Sequence, residues 1–574
     1  MSYTKPHSYS FILNTNRQYI LYLGFLCLLS PIYSTPSIGG TGFSLSFNIS
    51  AWLIATWFIV IGLFLLSKNK HLSIPRNLPY LLFFPCIIII SGLLTEINQP
   101  ISWLFRVLYI FGGLFFLISL FQFSIAVATL DRLLFIFIIA MGLHAVIGAI
   151  QINAPDLLPN WVPKQRDFVP RSFFQQINAH ASFLATGVIT SLYYISRPNF
   201  KFNSLFFKLI IIISFSLAIY IITASGSRIG FLSLLIGVPL ILWARYKLLR
   251  KQKKLLGVLF ISSLLSVTAG QAGLIQTVDK VARLKMEGYS DARWSIYSIS
   301  TELIKNKPLT GHGIGNFLKA WNPQAANFYL NHPNASLPLF IGHPHNEIFF
   351  WMIELGLVAL VGILGVILGI SKALYYCGFQ RGGAYAAMLL PISLHTQVEH
   401  PFYVSSIHWF LWLFLLFILF KHQTKRYILN LSSSAFHLMQ STTIIIAIIG
   451  TWFFINTAQA QVELKLFLSS NKVEHNAPLY LALNNLYFRP IAEQYAMRKT
   501  LYLSIYTKNR PQIEAYEKWA KLKIKNKPDF NIYDTLVLTS NFLRPEGNGC
   551  DALSAGLLQY PQYEPFQKAH LNCR

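Results

Sequence analysis

The chain has 574 residues, of which 54% are hydrophobic, 15% aromatic and only 12% charged, with a formal net charge of +26. Soluble domains carry roughly 25% charged residues, so half that share, with 46 Phe and 28 Tyr, excludes a disordered chain and argues against a soluble enzyme. In a soluble protein the basic excess would point to nucleic acid; in a membrane protein it has another origin, which the loops test.

A spanning helix needs about 20 mostly apolar residues. Apolar runs fall near 18–34, 51–67, 78–94, 102–122, 133–152, 177–196, 207–224, 229–244, 255–270, 348–370, 384–398, 402–420 and 437–456, which predicts an all-α polytopic membrane protein with twelve to thirteen transmembrane helices. More spans follow the first run, so it is expected to be a retained helix rather than a cleaved leader. With the N-terminus inside and the spans alternating, the inside segments hold twenty basic residues, from Lys5 and Arg17, through the run RYKLLRKQKK at 245–254, to Lys421, Lys425 and Arg426, against one acid, Asp131. The first outside loop, 35–50, carries no charge. This is a strong positive-inside pattern. Most of the basic excess therefore records topology, with anionic lipid contact as a further consequence, and nucleic acid is not expected as a partner.

Two long segments then lie outside: the loop 271–347 and the tail 457–574. The expected organisation is a transmembrane domain over 1–456 that includes the loop, and a small helical domain over 457–574. The tail holds 15 basic and 10 acidic residues. Stretches such as PIAEQYAMRKTLYLSIY and RPQIEAYEKWAKLKI repeat apolar residues at three- and four-residue spacing between Pro and Asn breaks, as helical hairpins resembling tetratricopeptide units would. Of five cysteines, Cys27, Cys86 and Cys377 sit in or beside spans, while Cys550 and Cys573 share the external tail, where an oxidising compartment would let them pair.

Ionisable groups in or at the mouth of a membrane are functional candidates. HPHNE at 343–347 opens a span at the water boundary. Asn346 suits a helix N-cap, and Glu347 suits the positive end of the helix. His343 and His345 remain: as metal ligands they lack the HExxH spacing, whereas an imidazole suits a general base. Arg171, Arg228 and Arg293 lie on the same outer side, against the topological bias. Each alone could be an interfacial side chain reaching for water; together they suit an anionic ligand, because the guanidinium fork matches phosphate oxygens. Arg106 fits the interfacial role better. The glycine-rich PLTGHGIGNF at 308–317 lacks the GK[ST] of a phosphate loop and is expected to be a structural turn. In LHTQVEHPF, Glu399 would orient a histidine such as His395, or a substrate hydroxyl, or simply cap a helix end before Pro401.

RSFFQQINA at 171–179, SGSR ending at Arg228, RWSIYSIS from Arg293 followed by PLTGHGIGNF, and HPHNE followed by a span containing GLVAL together resemble the O-antigen ligase superfamily, over most of 160–420. The long external tail and the LHTQVEHP turn are most similar to its PglL-type bacterial protein O-oligosaccharyltransferases. The resemblance implies an inverting, metal-independent glycosyltransferase of the bacterial inner membrane. Its N-terminus would be cytoplasmic, and its long loop and C-terminal domain periplasmic. The donor would be a glycan on undecaprenyl diphosphate, and the acceptor a Ser or Thr hydroxyl of an exported protein such as a pilin. His345 would be the base, with His343 in reserve. Arg171, Arg228 and Arg293 would hold the diphosphate, and Gln176 and Asn178 would line the pocket. Asn346, Glu347, His395 and Glu399 would support these groups, and no cofactor or metal is expected. O-antigen ligase and O-antigen polymerase activities remain open because they share the donor. A transporter fits less well, since the charges cluster at the outer boundary and not at the midplane.

Overall fold

The computed structural model describes residues 7–163, 169–283, 292–469, 478–547 and 549–573. Lys5, part of the loop 271–347 (284–291) and part of the tail (470–477) lie outside these residues. Each expected span coincides with helical structure, and the chain is an all-α polytopic membrane protein. Among the described residues, eight helices are long and apolar enough to cross a membrane, including Ser46–Asn69, Val127–Asn153, Leu205–Ala224 and Ser433–Ser469; Leu78–Leu94 and Arg228–Ala244 are apolar but shorter. Large apolar side chains such as Leu93, Leu235, Trp243, Leu265 and Trp452 stand exposed on these helices, as a lipid solvent permits.

Packing divides the chain into two compact units. The first comprises Met1–Leu81, Phe111–Arg283 and Val366–Ala458; the second comprises Leu82–Ile110, Leu284–Gly365 and Gln459–Arg574.

In the first unit, hydrogen bonds between helix ends fall into two sets. In one, Asn16 accepts from Thr129 at 2.7 Å, Arg197 pairs with Asp131 at 2.6 Å, Arg245 donates to Ser196 at 2.8 Å, and Lys421 donates to the Ile125 carbonyl at 3.3 Å. In the other, Ser34 and Thr35 donate to the Trp161 carbonyl, Ser227 donates to Asn178, Gln176 donates to Glu399, and Asn48 bridges Val404 and Ser406. When the segments between expected spans are numbered from the N-terminus, even joins even in the first set and odd joins odd in the second. Helices that all cross one slab produce this segregation. Asp131, the one acid among the twenty basic residues, is taken up by Arg197 and by Asn199 at 2.9 Å.

One departure from the all-helical expectation is a two-stranded antiparallel sheet, in which His71–Pro75 pairs with Thr424–Ile428 in the register His71 to Ile428 and Pro75 to Thr424. It ties together two segments that the charge pattern assigns to the same side. Two helical boundaries also differ. The helix expected to end near 456 continues unbroken as Ser433–Ser469. The span expected over 348–370 is broken into Glu347–Leu355 and Leu357–Tyr376. At the break Gly356 takes φ +71°, and a Cβ there would lie 2.3 Å from the Leu309 carbonyl oxygen; only glycine fits both the dihedral and the close approach.

In the second unit the tail forms Arg489–Tyr506, Arg510–Asn526 and Phe530–Leu543. Asn509 and Asp529 cap the second and third by accepting from Gln512 N and Asn531 N, and Pro490 and Pro511 occupy first-turn positions, where a missing N–H costs nothing. Leu501, Ile513, Tyr516, Ala520, Ile532, Leu536 and Leu543 share one core, at the spacing of a single helical face. Tyr533, on another face of the third helix, joins Leu553, Tyr560 and Phe566 in a second core that also packs Leu339 of the long loop. Asn322 of the loop donates to the Tyr560 hydroxyl.

Cys550 and Cys573 are joined by a disulfide, 23 residues apart in sequence. Closing a loop of that size removes roughly 3 kcal/mol of unfolded-state entropy. Cys573→Ser is therefore expected to speed proteolytic nicking after Arg544 in the purified full chain more than tenfold. An unchanged nicking rate would mean that the Tyr533–Phe566 core alone holds this end.

Candidate functional site

The residues singled out in the sequence form two constellations, one in each unit. In the first unit, the segment 171–178 lies between Val127–Asn153 and the following helix Ile177–Ile195. Gln151 clamps it: its Oε1 accepts from Arg171 N at 2.9 Å and Ser172 N at 2.7 Å, and its Nε2 donates to the carbonyls of Pro163 and Ser172. Ser172 and Gln175 have φ of +49° and +58°, a region costly for side-chain-bearing residues and commonest where function requires it. His144 Nδ1 lies 2.8 Å from Ser172 Oγ, and its ring stacks on Phe174 with centroids 4.6 Å apart. His180 Nδ1 lies 3.0 Å from the Pro170 carbonyl and must carry a proton to bond with it. The arginine-bearing segment is thus held by side chains from within two helices.

Asn178 Oδ1 accepts from Ser227 Oγ at 2.8 Å, and the same Ser227 oxygen accepts from Gly230 N, capping Arg228–Ala244. Gly226 in the preceding turn takes φ +61°. This bond joins the RSFFQQIN and SGSR motifs: Asn178 holds the turn that begins the Arg228 helix. Arg171 and Arg228 are half-buried. Gln176 donates to Glu399, which also lies 3.4 Å from His395 Nε2. Glu399 therefore does more than cap a helix end, as it faces both a histidine and an amide. His395 is fully buried.

In the second unit, His343, His345 and Asn346 precede the nine-residue helix Glu347–Leu355. Asn346 caps it by accepting from Phe349 N at 3.0 Å. Glu347 stands in the first turn, where the helix dipole favours a carboxylate, and accepts from Trp351 Nε1 at 3.0 Å. His345 has φ +53°. Its N–H donates to His343 Nδ1 at 3.2 Å, and the rings meet edge to face at 4.5 Å. Tyr297 donates its hydroxyl to the His345 carbonyl at 3.3 Å and contacts the Phe349 ring. Arg293 lies four residues before Tyr297 on the helix Ala292–Asn306, on the same helical face. Tyr297 thereby holds the histidine turn from the helix that carries Arg293.

The other end of the short helix is held as firmly. Arg106 pairs with buried Glu354 at 3.4 Å and lies over the rings of Phe350 and Trp351 at 4.3 and 5.2 Å. Glu354 also accepts from Gly315 N at 3.0 Å, while His312 N and Gly313 N donate to the Ile353 and Glu354 carbonyls. The glycine-rich segment thus wraps the helix end: a Cβ at Gly311 would sit 2.5 Å from the Glu354 carbonyl carbon. Burial lowers the His312 imidazole from its ordinary pKa, against the opposing pull of the Leu303 carbonyl, to which its Nε2 lies 3.0 Å away.

Sequence reasoning passed over Gln151, Ser182, His408 and Tyr297. Only Tyr297 carried a local signal, its spacing from Arg293. Among the described residues, no three His, Cys, Asp or Glu side chains gather in an arrangement able to hold a metal ion.

Two stretches of the chain match known families. Residues 213–364, which include Arg228, Arg293 and the histidine turn, match the family model described as O-antigen ligase. Residues 384–572, which include Glu399 and the tail, match the model described as the C-terminal part of a virulence factor membrane-bound polymerase. These matches support the similarity of the chain to the O-antigen ligase superfamily. The chain is an integral membrane enzyme of the ligase and polymerase type, a class that uses lipid-linked glycan donors. No curated protein matches the chain.

Proposed function

We propose that the chain is an O-linked oligosaccharyltransferase of the bacterial inner membrane, transferring a glycan from undecaprenyl diphosphate to Ser or Thr hydroxyls of exported proteins, pilins among them, at the periplasmic face. The observation that carries this reading is the histidine turn. His345 is held in a left-handed backbone by Tyr297 and His343, at the mouth of a capped helix, and Tyr297 stands on the helix that carries Arg293. In the reaction, the His345 imidazole takes the proton of the acceptor hydroxyl. The hydroxyl oxygen forms a bond to the anomeric carbon from the face opposite the leaving group, the bond from that carbon to the diphosphate oxygen breaks, and configuration inverts. Arg171, Arg228 and Arg293 take up the negative charge that builds on the departing diphosphate. The even and odd sets of hydrogen bonds within the first unit support spans that alternate in direction, and the basic residues of its even segments support a cytoplasmic side for those segments. The polymerase family matched by residues 384–572 favours a second reading, in which the acceptor hydroxyl belongs to another glycan and the product is a longer chain.

The test is expression in cells that make a lipid-linked glycan but lack their own transferase, followed by intact-mass analysis of periplasmic proteins. Glycan-sized mass increments on exported proteins support the proposal. Unmodified proteins alongside lengthened glycan or modified lipopolysaccharide would replace it with the polymerase or ligase reading. In the same cells Arg228→Ala is expected to raise the donor concentration needed for half-maximal transfer about tenfold or more, since a charge-assisted hydrogen bond contributes roughly 1.5–3 kcal/mol. Arg228→Lys should recover part of that, and unchanged donor dependence in Arg228→Ala would remove Arg228 from the site.

A further inference from the structure

The reaction just described has no use for a chain of polar side chains buried in the first unit. His408 Nε2 lies 2.9 Å from the Ala179 carbonyl and 3.2 Å from Ser182 Oγ; Ser182 Oγ lies 2.9 Å from His395 Nδ1; His395 Nε2 lies 3.4 Å from Glu399 Oε2; and the Gln176 amide donates to that same oxygen. Ser182, His395 and His408 are fully buried, and Glu399 nearly so. Buried polar groups in a membrane helix bundle persist where they are paired and where they serve a function.

One proton arrangement satisfies these contacts with both histidines neutral. A carbonyl only accepts, so His408 carries its proton on Nε2. His395 carries its proton on Nε2, directed at the Glu399 carboxylate, so its Nδ1 accepts from the Ser182 hydroxyl, which also lies 3.2 Å from the Ala179 carbonyl. Glu399, as a carboxylate, only accepts. Gln176 must therefore turn its NH2 toward Glu399 and its carbonyl away, because the flipped amide would set two oxygens against each other. The Gln176 Oε1 so defined is buried and has no hydrogen-bond partner among the described residues. An acceptor in that state is costly until a donor reaches it.

We propose that Glu399, itself held by His395, is a positioning residue that locks the Gln176 amide so that its carbonyl oxygen accepts a hydrogen bond from the donor's first sugar, through a hydroxyl or an acetamido N–H. The inference rests on the lipid-linked-donor reading above. It deepens that reading by separating sugar recognition, at Gln176, from diphosphate recognition, at the arginines. It also gives the LHTQVEHP turn a role in selecting the substrate.

The test uses the detergent-purified full chain and two probes: undecaprenyl diphosphate bearing one N-acetylhexosamine, and undecaprenyl diphosphate without sugar. The quantity read is the ratio of the two affinities within each variant, which cancels any loss of folded protein. The native chain should prefer the sugar-bearing probe. Glu399→Gln frees the Gln176 amide to flip and is expected to cut that preference about tenfold, the size of one lost hydrogen bond, with the bare probe bound as before. The exchanged pair Gln176→Glu with Glu399→Gln keeps an amide donor facing a carboxylate and an acceptor oxygen at 176, and should restore most of the preference. A Glu399→Gln variant with native preference, an equal loss on both probes, or an exchanged pair no better than the single variant would overturn the positioning role alone. A native chain that binds neither probe would overturn the donor reading and this inference with it.

Discussion

His345→Ala is expected to lower glycan transfer by at least about 100-fold at unchanged protein abundance, since a positioned general base contributes roughly 10²–10⁴-fold. The backbone offers a control that separates the imidazole from the fold. His345 sits at φ +53°, where Asn is tolerated better than most residues because its short side chain bonds locally. His345→Asn should keep the turn, the Tyr297 bond to the 345 carbonyl and the cap at Asn346, yet transfer as poorly as the alanine variant. His343→Ala should cost far less, because His343 serves the turn by accepting from the His345 N–H. Transfer rates in membranes with matched protein levels decide the matter. Substantial activity in both His345 variants would move the base elsewhere, and a His343 variant as inactive as His345→Ala would make His343 the better assignment.

The histidine turn was legible because its signals are local. Asn346 before an apolar run reads as a cap, and two histidines at a water boundary stand out against 12% charged residues. The spans were legible for the same reason, since each is a run of apolar residues in one window. The missed features depend on partners distant in the chain. The strand His71–Pro75 finds its partner at Thr424–Ile428, and neither five-residue segment, HLSIP or TKRYI, carries a pattern of its own. Gly356 lies in an apolar run like any membrane glycine; what makes it a break is the Pro308–Leu309 backbone, which approaches it so closely that Leu357 N donates to the Pro308 carbonyl at 2.6 Å. The left-handed Ser172, Gln175 and His345 are not glycines, so composition gives no warning of them. His408 and Ser182 read as ordinary members of apolar helices until the fold sets them against His395.

The break at Gly356 also changes the meaning of Arg106. In sequence it suits an arginine reaching from a span end toward water; in the structure it is half of an ion pair that anchors the helix carrying the histidine turn. Glu354 is 1% exposed and Arg106 18%, and removing one partner of such a pair leaves the other charge uncompensated, a loss of about 3 kcal/mol. Glu354→Ala is therefore expected to lower the thermal midpoint of the purified full chain by several degrees. It should also reduce transfer, because Glu347–Leu355 is only nine residues long and a shift at its C-terminal end reaches His345 within three turns. Glu354→Gln retains an acceptor for Gly315 N and should lose less of both. Arg106→Ala combined with Glu354→Ala should cost clearly less than the two single losses added together, by more than about 1 kcal/mol, as coupled neighbours do. Strict additivity would mean that the two side chains act independently, and a Glu354→Ala variant that melts like the native chain would remove the ion pair as the anchor of the catalytic helix. The readouts also separate anchoring from chemistry, because Glu354→Ala should lose stability and transfer together, whereas His345→Asn should lose transfer alone.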